Sequence, residues 1–546
     1  MSKRERISPV DTAWLRMDRP TNLMMIVGVM MFEGAMDYER LRRTLEARLL
    51  PFRRFRQKVE HDATGAYWVD DEDFDLDRHL HHAALPAGDH KVELQKMAAD
   101  LMSIPLDPNR PLWSYHLVDN YDGGSALIVR IHHCIADGIA LIGVMLSLTD
   151  ASPDAPERPG PPLKMARGEE GPDSFFWNRV FEPVTQGMIT AYNLSTKAWL
   201  KYFELLTHPG QALDYSRQGV GMAAELANLL IMPADSQTRF KGKPGGTKAV
   251  AWAEPMPLNE VKAVGKALGC SVNDLLLSAV AGALRAYLVE QGDPIEGVEV
   301  RAMVPVNMRS KEDEGKLGNR FGLVTLLLPV YIENPFERTF EVRRRMDELK
   351  GSYQPVVALG VLAATGLAPK FVQDIALDIL ANKASAVMTN VPGPQQPLYM
   401  AGSRLAQQMF WVPQSGNIGM GVSILSYDGK VQFGLVTDRH FAADPENIVC
   451  RFCTEFEKLV YALLLDPWED LRSPEEIQQS LEDELAVYAC AHKAEKPAAK
   501  PRTPRQPQKR KAAAKSHAQP PSPAASPPAP ADENAIAGSP PPSSGD

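Results

Sequence analysis

Strand patterns and helix patterns alternate along this chain in two stretches, which lie on either side of a segment rich in proline and glycine. In the first stretch, NLMMIVGVMMFEG reads as a buried strand, and DYERLRRTLEARLL has leucines at helical spacing. The β-rich run SALIVRIHH is followed by DGIALIGVMLSLTD, which reads as a helix with an apolar face. Because each sheet and each helix must cover its apolar face with another element, this alternation predicts a mixed α/β domain.

The second stretch repeats the same style. A linker-like segment (residues 152–171) is followed by residues 174–232, whose apolar residues lie at helical spacing, and strand patterns return at TKAVAWAEPMP. SVNDLLLSAVAGALRAYLVEQG predicts a helix, and MGVSILSYDGKVQFGLVTD predicts a hairpin with its tight turn at Asp428-Gly429. Two halves of similar style predict the fold class α/β (α+β) with two domains, and the cleft between the domains is the default place for a functional site.

We therefore expect four segments along the chain. An N-terminal domain, a helical linker, a C-terminal domain and a disordered tail are predicted at residues 1–160, 161–240, 241–475 and 491–546, respectively. The tail holds 13 of the 45 prolines and carries a net charge of +5, which leaves about −14 for the rest of the chain. An acidic body argues against a nucleic-acid-binding core. A solvated tail is the plainest interpretation, and contact with anionic lipid or RNA is the alternative.

Cysteine content and hydropathy restrict the class of protein further. Five cysteines in 546 residues indicate a reducing compartment rather than a disulfide framework. Cys450 and Cys453 form a CxxC with helical periodicity around it, and no second CxxC or His pair accompanies them to make a zinc site. The N-terminus lacks the apolar run of a signal peptide, and no stretch reaches the roughly 18 to 20 apolar residues of a membrane span. We predict a cytoplasmic protein and leave open a peripheral attachment to the inner membrane face or to lipid inclusions.

The segment HHCIADG is the constellation most able to carry chemistry. Successive strand residues point to opposite faces, so His132 and His133 are expected to have unequal roles, one working and one supporting. A neutral histidine, whose unperturbed pKa is about 6.5, is the usual base near pH 7. Asp137 is placed to hold the turn or to orient a ring. Gly138 is expected to permit a backbone conformation or a close approach that a Cβ would forbid.

Three other interpretations compete with a histidine base. A covalent role for Cys134 is weakened because a regular strand points its neighbour His133 the other way, and the chain has no GxSxG to supply a nucleophilic serine. A metal site is weakened because the spacing lacks the HExxH arrangement of two imidazoles on one helical face. The plainest alternative is a structural role at a strand end, which is the interpretation we give to His79, His81 and His82 in HLHHAALP.

An ordered set of motifs carries a resemblance to a known family. Between residues 7 and 470 the motifs follow one another as SPVDTAWLRMDRPTN, DFDLDRHLHHAALP, RPLWSYHLVD, HHCIADG, SVNDLLL, VPVNMR, LGNRFG and TNVPGP. In this order they resemble the bacterial bifunctional wax ester synthase/diacylglycerol acyltransferase family. HHxxxDG alone is shared with other chloramphenicol-acetyltransferase-like enzymes and with peptide-synthetase condensation domains, so the combination is the more specific signal.

The resemblance implies two chloramphenicol-acetyltransferase-like domains joined by a helical linker. It implies transfer of a long-chain acyl group from acyl-CoA to the hydroxyl of diacylglycerol or of a long-chain alcohol, with either product left open. His133 would be the general base of a ternary complex, with His132 as support, Asp137 as a structural carboxylate and Gly138 at the turn. No resident cofactor and no metal are expected, since acyl-CoA is itself a substrate.

The resemblance also implies a substrate-binding or oxyanion role for Asn273, Asp274 and Asn390. Two departures bear on substrate preference. TNVPGP begins with Thr389 where the family usually has serine, and the N-terminal region lacks the family's histidine-containing MHVG. The alternatives are an acyltransferase of the same fold that uses an amine or a carrier-bound substrate, and a non-catalytic protein that binds lipid surfaces.

Overall fold

Two seven-stranded sheets organise the part of the chain that the structure describes. The computed structural model describes residues 4–62, 65–156, 231–308, 317–349 and 352–465. The helices are α1 (Pro9–Arg16), α2 (Tyr38–Arg48), α3 (His90–Ser103), α4 (Gly138–Ser147), α5 (Leu258–Leu268), α6 (Val272–Glu290), α7 (Pro335–Leu349), α8 (Gln354–Leu367), α9 (Lys370–Ala381) and α10 (Glu446–Leu465). The strands are β1 (Glu5–Arg6), β2 (Met25–Glu33), β3 (Gln57–Asp62), β4 (Gly65–Asp70), β5 (Leu80–Ala84), β6 (Trp113–Tyr121), β7 (Gly124–His132), β8 (Thr149–Asp150), β9 (Lys248–Trp252), β10 (Met256–Pro257), β11 (Val300–Asn307), β12 (Phe321–Leu328), β13 (Ala386–Pro392), β14 (Tyr399–Met400), β15 (Ser403–Trp411), β16 (Met420–Tyr427) and β17 (Lys430–Asp438).

The first sheet has the strand order β5-β6-β7-β2-β15-β14-β8 and carries the HHCIADG segment at the end of β7. Every residue of β7 is buried, and so are all residues of β2 except the last. Leucines of α2 and α4 pack in the hydrophobic cluster on one face, and α3 contributes to the cluster on the other. Burial on both faces explains why these two strands read as nearly continuous apolar runs rather than as alternating ones.

Two strands of this first sheet come from the second half of the chain. β15 pairs antiparallel with β2, and β14 pairs with β8. The sequence predicts that residues 241–475 belong to a separate C-terminal domain. In the structure β14 and β15, which lie in that range, pair instead with strands from the first half of the chain. The reason is that strand pairing depends on long-range register, which local patterns do not encode. The first sheet is therefore completed by a segment that lies far along the chain.

The second sheet has the strand order β10-β17-β16-β13-β11-β12, with β9 paired to β17. β16 and β17 form the predicted hairpin, and both turn residues, Asp428 and Gly429, have a positive φ, of 47° and 71°. This is the backbone of a tight hairpin turn in which both central residues are left-handed. The hairpin prediction is confirmed, and the mixed sheets with packed helices confirm the predicted fold class.

Helix α6 forms the core of the second half and corrects one expectation. Among the described residues it is the one helix long and apolar enough to cross a membrane, although no such stretch was expected from sequence. Most of it is buried, against α7, α10 and the second sheet. Ser271 and Asp274 close its N-terminus with a capping box. A helix apolar all round and enclosed by protein is the behaviour of a core helix.

Helix α1 from the N-terminus is clamped by helices of the second half. At Gly366 an added Cβ would lie 1.7 Å from the carbonyl oxygen of Pro9, so only glycine allows α8 to approach α1 this closely. Arg16 Nη1 donates to the Gly366 carbonyl at 3.3 Å, and Gln373 Nε2 donates to the carbonyl of Ala13 at 3.0 Å. These contacts fix α1, which supplies part of the site described below.

Several sequence predictions lie wholly or almost wholly outside the described residues. They concern most of the linker at 152–171, the helices expected over 174–232, and the tail at 491–546. The CxxC of Cys450 and Cys453 lies in α10, as its periodicity predicted.

Candidate active site

The HHCIADG segment connects the end of β7 to the start of α4. His132 is the last residue of β7, and Asp137 is the N-cap of α4, where its Oδ1 accepts from the backbone N–H of Ala140 at 2.9 Å. The other carboxylate oxygen of Asp137 accepts from the backbone N–H of Arg320 at 2.8 Å. Asp137 therefore ties the turn to the chain just before β12, in addition to satisfying the helix end. The carboxylate has a structural environment at this position.

Gly138 does not do what the sequence suggested. It is the first residue of α4, its φ is not positive, and no described atom lies within 4 Å of the position that a Cβ would take. The expectation that Gly138 relieves a strained turn or a close backbone approach is therefore wrong. The side of Gly138 that would carry a side chain faces open space.

His133 is packed against two aromatic rings. Its ring stacks on Trp14 of α1, with centroids 4.1 Å apart and planes 17° apart, and it lies 5.4 Å from the ring of Phe321. Only 2% of His133 is exposed. Its backbone N–H donates to the carbonyl of Met24 at 2.7 Å, which extends the pairing of β2 with β7 by one residue and fixes the backbone of His133. The imidazole is thus held in a cluster of three rings, in which Trp14 and Phe321 also contact each other.

A buried polar network fixes the backbone of His133. The amide nitrogen of Asn319 donates to the carbonyl oxygen of His133 at 2.6 Å and to Oδ1 of Asp11 at 2.7 Å. Oδ2 of Asp11 accepts from the hydroxyl of Ser8, the N-cap of α1, at 2.7 Å. Burial raises the pKa of Asp11, and its hydrogen bonds to Asn319 and Ser8 partly offset that effect. Residues far apart in sequence therefore converge on one carbonyl group.

Desolvation sets the protonation of His133. Burial lowers the pKa of the His133 ring to about 4, although the charge of Asp137 and the backbone carbonyl oxygen of His133 itself act in the opposite direction. The ring is therefore neutral at pH 7. Among the described residues, Nδ1 of His133, Nε1 of Trp14 and Oδ1 of Asn319 are buried without a hydrogen-bond partner of good geometry. Unpaired buried polar atoms are rare in folded proteins, and here three of them occur together.

His132 has a different environment. The backbone N–H of Cys134 donates to Nδ1 of His132 at 3.1 Å, and Nε2 of His132 lies 3.2 Å from Oδ2 of Asp18. Burial lowers its pKa, but Cys134 and Asp18 act more strongly and raise it to about 10. A neutral ring that accepts from Cys134 carries its proton on Nε2, and a charged ring carries protons on both nitrogens. In either state Nε2 faces Asp18 as a donor, so His132 has no nitrogen free to act as a base.

A cavity of about 500 Å³ lies on the His132 side of the motif. His132 and Asp18 form part of its wall, together with Lys370 and apolar residues such as Leu106 and Leu112. The volume is within the range of small-molecule sites, which are mostly apolar with a few polar groups. The PLW and N-terminal boxes found in the sequence both contribute to this wall, through Leu112 and Asp18.

The other predicted site residues lie in the second half. Asn273 follows the N-cap of α6, and its side-chain oxygen accepts from the amide of Asn390 in β13. Asp274 instead accepts from the backbone N–H of its capping partner Ser271 at 2.9 Å and is 4% exposed. The structure therefore brings Asn273 and Asn390 together, and it commits Asp274 to the helix cap. No hydrogen bond or ring contact between described residues joins this pair to His133.

The competing interpretations gain no support from the geometry. Cys134 is 1% exposed, so its sulfur does not face open space, although both its backbone N–H and its side chain interact with the ring of His132. Within the described ranges, no three His, Cys, Asp or Glu side chains are grouped so as to hold a metal ion. His79 is buried, and one of its ring nitrogens lies 2.8 Å from the Trp113 carbonyl oxygen, a structural environment.

Sequence reasoning missed the residues that surround the pair. Asp11, Trp14 and Asp18 lie in SPVDTAWLRMDRPTN, and Asn319 lies in LGNRFG. Both motifs support the resemblance to the family, but they predict no role for these four residues. Asp11 is 308 residues from Asn319, with which it forms a hydrogen bond. The available signal was the set of Asp and Asn side chains in these motifs, because such side chains are rarely buried without a partner.

Comparisons with known proteins give a consistent result. The model of the wax ester synthase/diacylglycerol acyltransferase catalytic domain matches residues 7–276, and the model of the C-terminal domain of the same family matches residues 317–460. A probable diacylglycerol O-acyltransferase of Mycobacterium tuberculosis, tgs1, is 29% identical over 457 residues, which cover 80% of this chain and 92% of that protein. A second one, tgs2, is 28% identical over 404 residues, covering 72% of this chain and 84% of that protein.

Two solved structures share the fold. The wax ester synthase/diacylglycerol acyltransferase from Marinobacter aquaeolei VT8 superposes with a TM-score of 0.58 at 22% identity, covering 84% of this chain and all of that one. The first condensation domain of the calcium-dependent antibiotic synthetase superposes with a TM-score of 0.54 at 15% identity, covering 87% of this chain and 98% of that one. At these identities the likeness establishes a common architecture, the two-domain fold that the resemblance implied.

Proposed function

The chain belongs to the wax ester synthase/diacylglycerol acyltransferase family and is an acyltransferase, and on that premise we propose the reaction and the base. The acyl donor is a long-chain acyl-CoA, and the acceptor is the hydroxyl of diacylglycerol or of a long-chain alcohol. His133 is the general base in a complex that holds both substrates. We further propose that no resident cofactor or metal takes part, because a thioester is already activated toward an oxygen nucleophile.

The observation that carries this proposal is the difference between the two histidines. Nε2 of His132 faces Asp18 as a donor, and Nδ1 of His132 meets the N–H of Cys134. By contrast, no hydrogen bond of good geometry between described residues engages a ring nitrogen of His133, and its pKa of about 4 leaves the ring neutral at pH 7. A base must be unprotonated and must have a lone pair that no other group uses. Of the pair, His133 meets both requirements.

The proposed reaction proceeds without a covalent enzyme intermediate. Nε2 of His133 takes the hydroxyl proton while the oxygen attacks the thioester carbonyl carbon, which gives a tetrahedral intermediate with a negative oxygen. The C–S bond then breaks, the carbonyl reforms, and the imidazolium returns its proton to the CoA sulfur. Asp137 and the carbonyl of His133 raise the pKa of the ring and so stabilise the imidazolium while it exists. A positioned base of this kind contributes about 10² to 10⁴ in rate.

We propose the Asn273–Asn390 pair as the substrate-positioning or oxyanion group from the second half. In their mutual hydrogen bond Asn273 is the acceptor, so its amide hydrogens remain available to an oxygen of the substrate. Asp274 is not retained in this role, because its carboxylate accepts hydrogen bonds in the capping box and a carboxylate repels a developing oxyanion.

An exposed apolar surface supports a peripheral contact with lipid. Leu367 at the end of α8 and Phe371 and Ile375 in α9 are 72%, 67% and 59% exposed. Lys370, which lies among them in sequence, lines the cavity beside His132. Grouped exposed apolar side chains on a protein surface mark interaction sites. We propose that this surface meets the cytoplasmic face of a membrane or a lipid inclusion, from which diacylglycerol would enter.

One assay tests the reaction and its alternatives. Purified protein receives palmitoyl-CoA with diacylglycerol, a long-chain alcohol or a long-chain amine, and both CoA release and lipid product are followed. We expect an ester with at least one alcohol acceptor. His133→Ala should lose that product while its circular dichroism and melting temperature show that it folds. Full activity of His133→Ala would refute the base, and an amide without an ester would favour the amine-using alternative. No product with any acceptor would favour a lipid-binding protein.

Liposome flotation tests the lipid contact. Phe371→Ser with Ile375→Ser should reduce binding to vesicles that contain anionic lipid, whereas Phe336→Ser, a half-buried core residue of another helix, is the control for damage to folding. Deletion of residues 491–546 distinguishes binding through the tail from binding through the apolar surface. Electrostatic binding through the tail would be lost both on deletion and at high salt, whereas binding through the apolar surface would not be lost in both. Unchanged flotation of the double variant would contradict the proposed surface.

A further inference from the structure

Asn319 connects the N-terminal helix to the backbone of the proposed base. Its amide nitrogen has two acceptors, Oδ1 of Asp11 and the carbonyl oxygen of His133, at 2.7 and 2.6 Å. Because both neighbours are acceptors, the nitrogen rather than the oxygen of the amide must face them. The backbone N–H of Asn319 also donates to Asp11 Oδ1, at 3.3 Å. Both hydrogens of one NH₂ group are thus used, and the three groups are all buried.

The carbonyl that Asn319 holds has a particular importance for the ring of His133. If Nε2 is to accept a proton from a substrate, the single proton of the neutral ring must be on Nδ1. That nitrogen is buried and has no hydrogen-bond partner of good geometry among the described residues. The backbone group that interacts with the ring and raises its pKa is the carbonyl oxygen of His133 itself. The orientation of this carbonyl therefore decides which tautomer is favoured.

We propose that Asn319, oriented by Asp11, is a positioning residue for His133. Its donated hydrogen bond fixes the plane of the peptide that follows His133. This keeps the carbonyl oxygen where it favours the proton on Nδ1 and leaves Nε2 free toward the substrate. The inference rests on the proposed role of His133 as the base. It explains why the ring of His133 adopts the tautomer that this role requires. It also gives the LGNRFG segment a function at His133, which lies 186 residues earlier in the chain.

A purely structural role must be separated from this one, because Asp11 and Asn319 also join α1 to the second half. The chain offers a variant pair that does so. Asn319→Asp removes the donor to His133 and places two carboxyl groups side by side. Asp11→Asn together with Asn319→Asp restores an amide–carboxylate hydrogen bond between these positions, with its direction reversed. In this double variant the carboxylate at position 319 still has no hydrogen to donate to the carbonyl of His133.

The expected results differ for stability and for activity. Asn319→Asp should lower both the melting temperature and kcat, with kcat reduced at least about tenfold because a buried donor to a backbone carbonyl is lost. The double variant should recover most of the melting temperature but not kcat. KM for palmitoyl-CoA should change little in both variants, because Asn319 contacts the base and not the substrate. Asp11→Asn alone should cost less, since an asparagine there can still accept from Asn319.

The pH profile of the double variant supplies a readout that a structural role would not alter. The charged and titratable groups around position 319 are Asp11, His133, Asp137 and, at longer range through Asp11, Arg54. Protonation of the carboxyl at position 319 would restore an O–H donor to the His133 carbonyl. The ratio of wild-type kcat to the kcat of the double variant should therefore decrease as pH falls from 8 to 5.5.

Three outcomes decide the inference. Low kcat in the double variant with a recovered melting temperature and a ratio that decreases at low pH supports positioning. Recovery of kcat together with the melting temperature overturns it, because the pair would then serve only the fold. His133→Ala in the same assay separates the two levels. If that variant is inactive and the double variant is fully active, only the positioning role fails, and if His133→Ala is fully active, the base assignment itself fails and takes the positioning role with it.

Discussion

The two sides of the HHCIADG segment contrast in almost every physical respect. His132 lines a cavity and has both ring nitrogens engaged, by Asp18 and by the Cys134 N–H. His133 packs against Trp14 and Phe321, and among the described residues it has no ion pair and its buried Nδ1 has no hydrogen-bond partner of good geometry. Adjacent residues of the same type therefore have pKa values shifted in opposite directions, to about 10 and about 4.

This contrast shows that access to a cavity does not identify a base. Proximity to the cavity alone would select His132 as the base, but its Nε2 is hydrogen-bonded to Asp18. His133 would be rejected on burial, but burial is what keeps the ring neutral and unpaired. The strand geometry produces the difference, because consecutive side chains face opposite sides and the chain leaves the sheet after His132. Each prediction below tests one side of the pair against the other.

The largest expected effect separates the two histidines by activity. His133→Gln should reduce kcat by about a hundredfold or more, since glutamine cannot accept and return the hydroxyl proton. His132→Gln keeps an N–H that can reach Asp18 and should reduce kcat by less than about tenfold. Steady-state measurements with saturating palmitoyl-CoA compare the kcat of the variants at equal folded fractions. A greater loss in His132→Gln than in His133→Gln would reverse the roles.

The contrast could be anticipated from sequence only in part. Alternation along a strand predicted that the two histidines differ, and the position at the turn into a helix predicted that Asp137 holds the turn or orients a ring. Which histidine has the free nitrogen depends on Asp18 and Asn319, and these contacts span 114 and 186 residues. Local patterns carry no information on such pairings. The strands and helices could be predicted from sequence because burial imposes a periodicity on their residues. The pairing of β15 with β2 in the first sheet could not be predicted, because it depends on long-range register.

The opposite pKa shifts predict opposite pH dependences of stability. The pKa of His133 is lower in the folded state, at about 4, than its unfolded value of about 6.5. Its contribution is therefore complete above pH 6.5 and is lost as pH falls to 4, by up to about 3 kcal/mol. His132 has a raised pKa, so its contribution is complete below pH 6.5 and is lost toward pH 10.

Urea unfolding between pH 7.5 and 4.5 measures this difference. The stability of His133→Gln relative to wild type should increase as pH falls, because wild type alone must keep a buried ring neutral. His132→Gln should leave the acid limb of the wild-type curve unchanged, since its effect lies on the alkaline side. An acid limb that is identical in wild type and His133→Gln would show that the ring of His133 is not desolvated as the structure indicates.

The smallest expected effect concerns the open space beside Gly138. Gly138→Ala adds one methyl group where no described atom lies within 4 Å, at the first position of α4, and alanine is the better helix former. The melting temperature should stay the same or rise slightly. If the space receives substrate, KM for the acceptor should increase by a few-fold, with a smaller change in KM for palmitoyl-CoA, because the acceptor hydroxyl must approach the base. Gly143→Ala, whose added methyl group also meets no described atom but lies farther along α4, is the matched control. Equal kinetics in both variants would show that the substrates do not use the space beside Gly138.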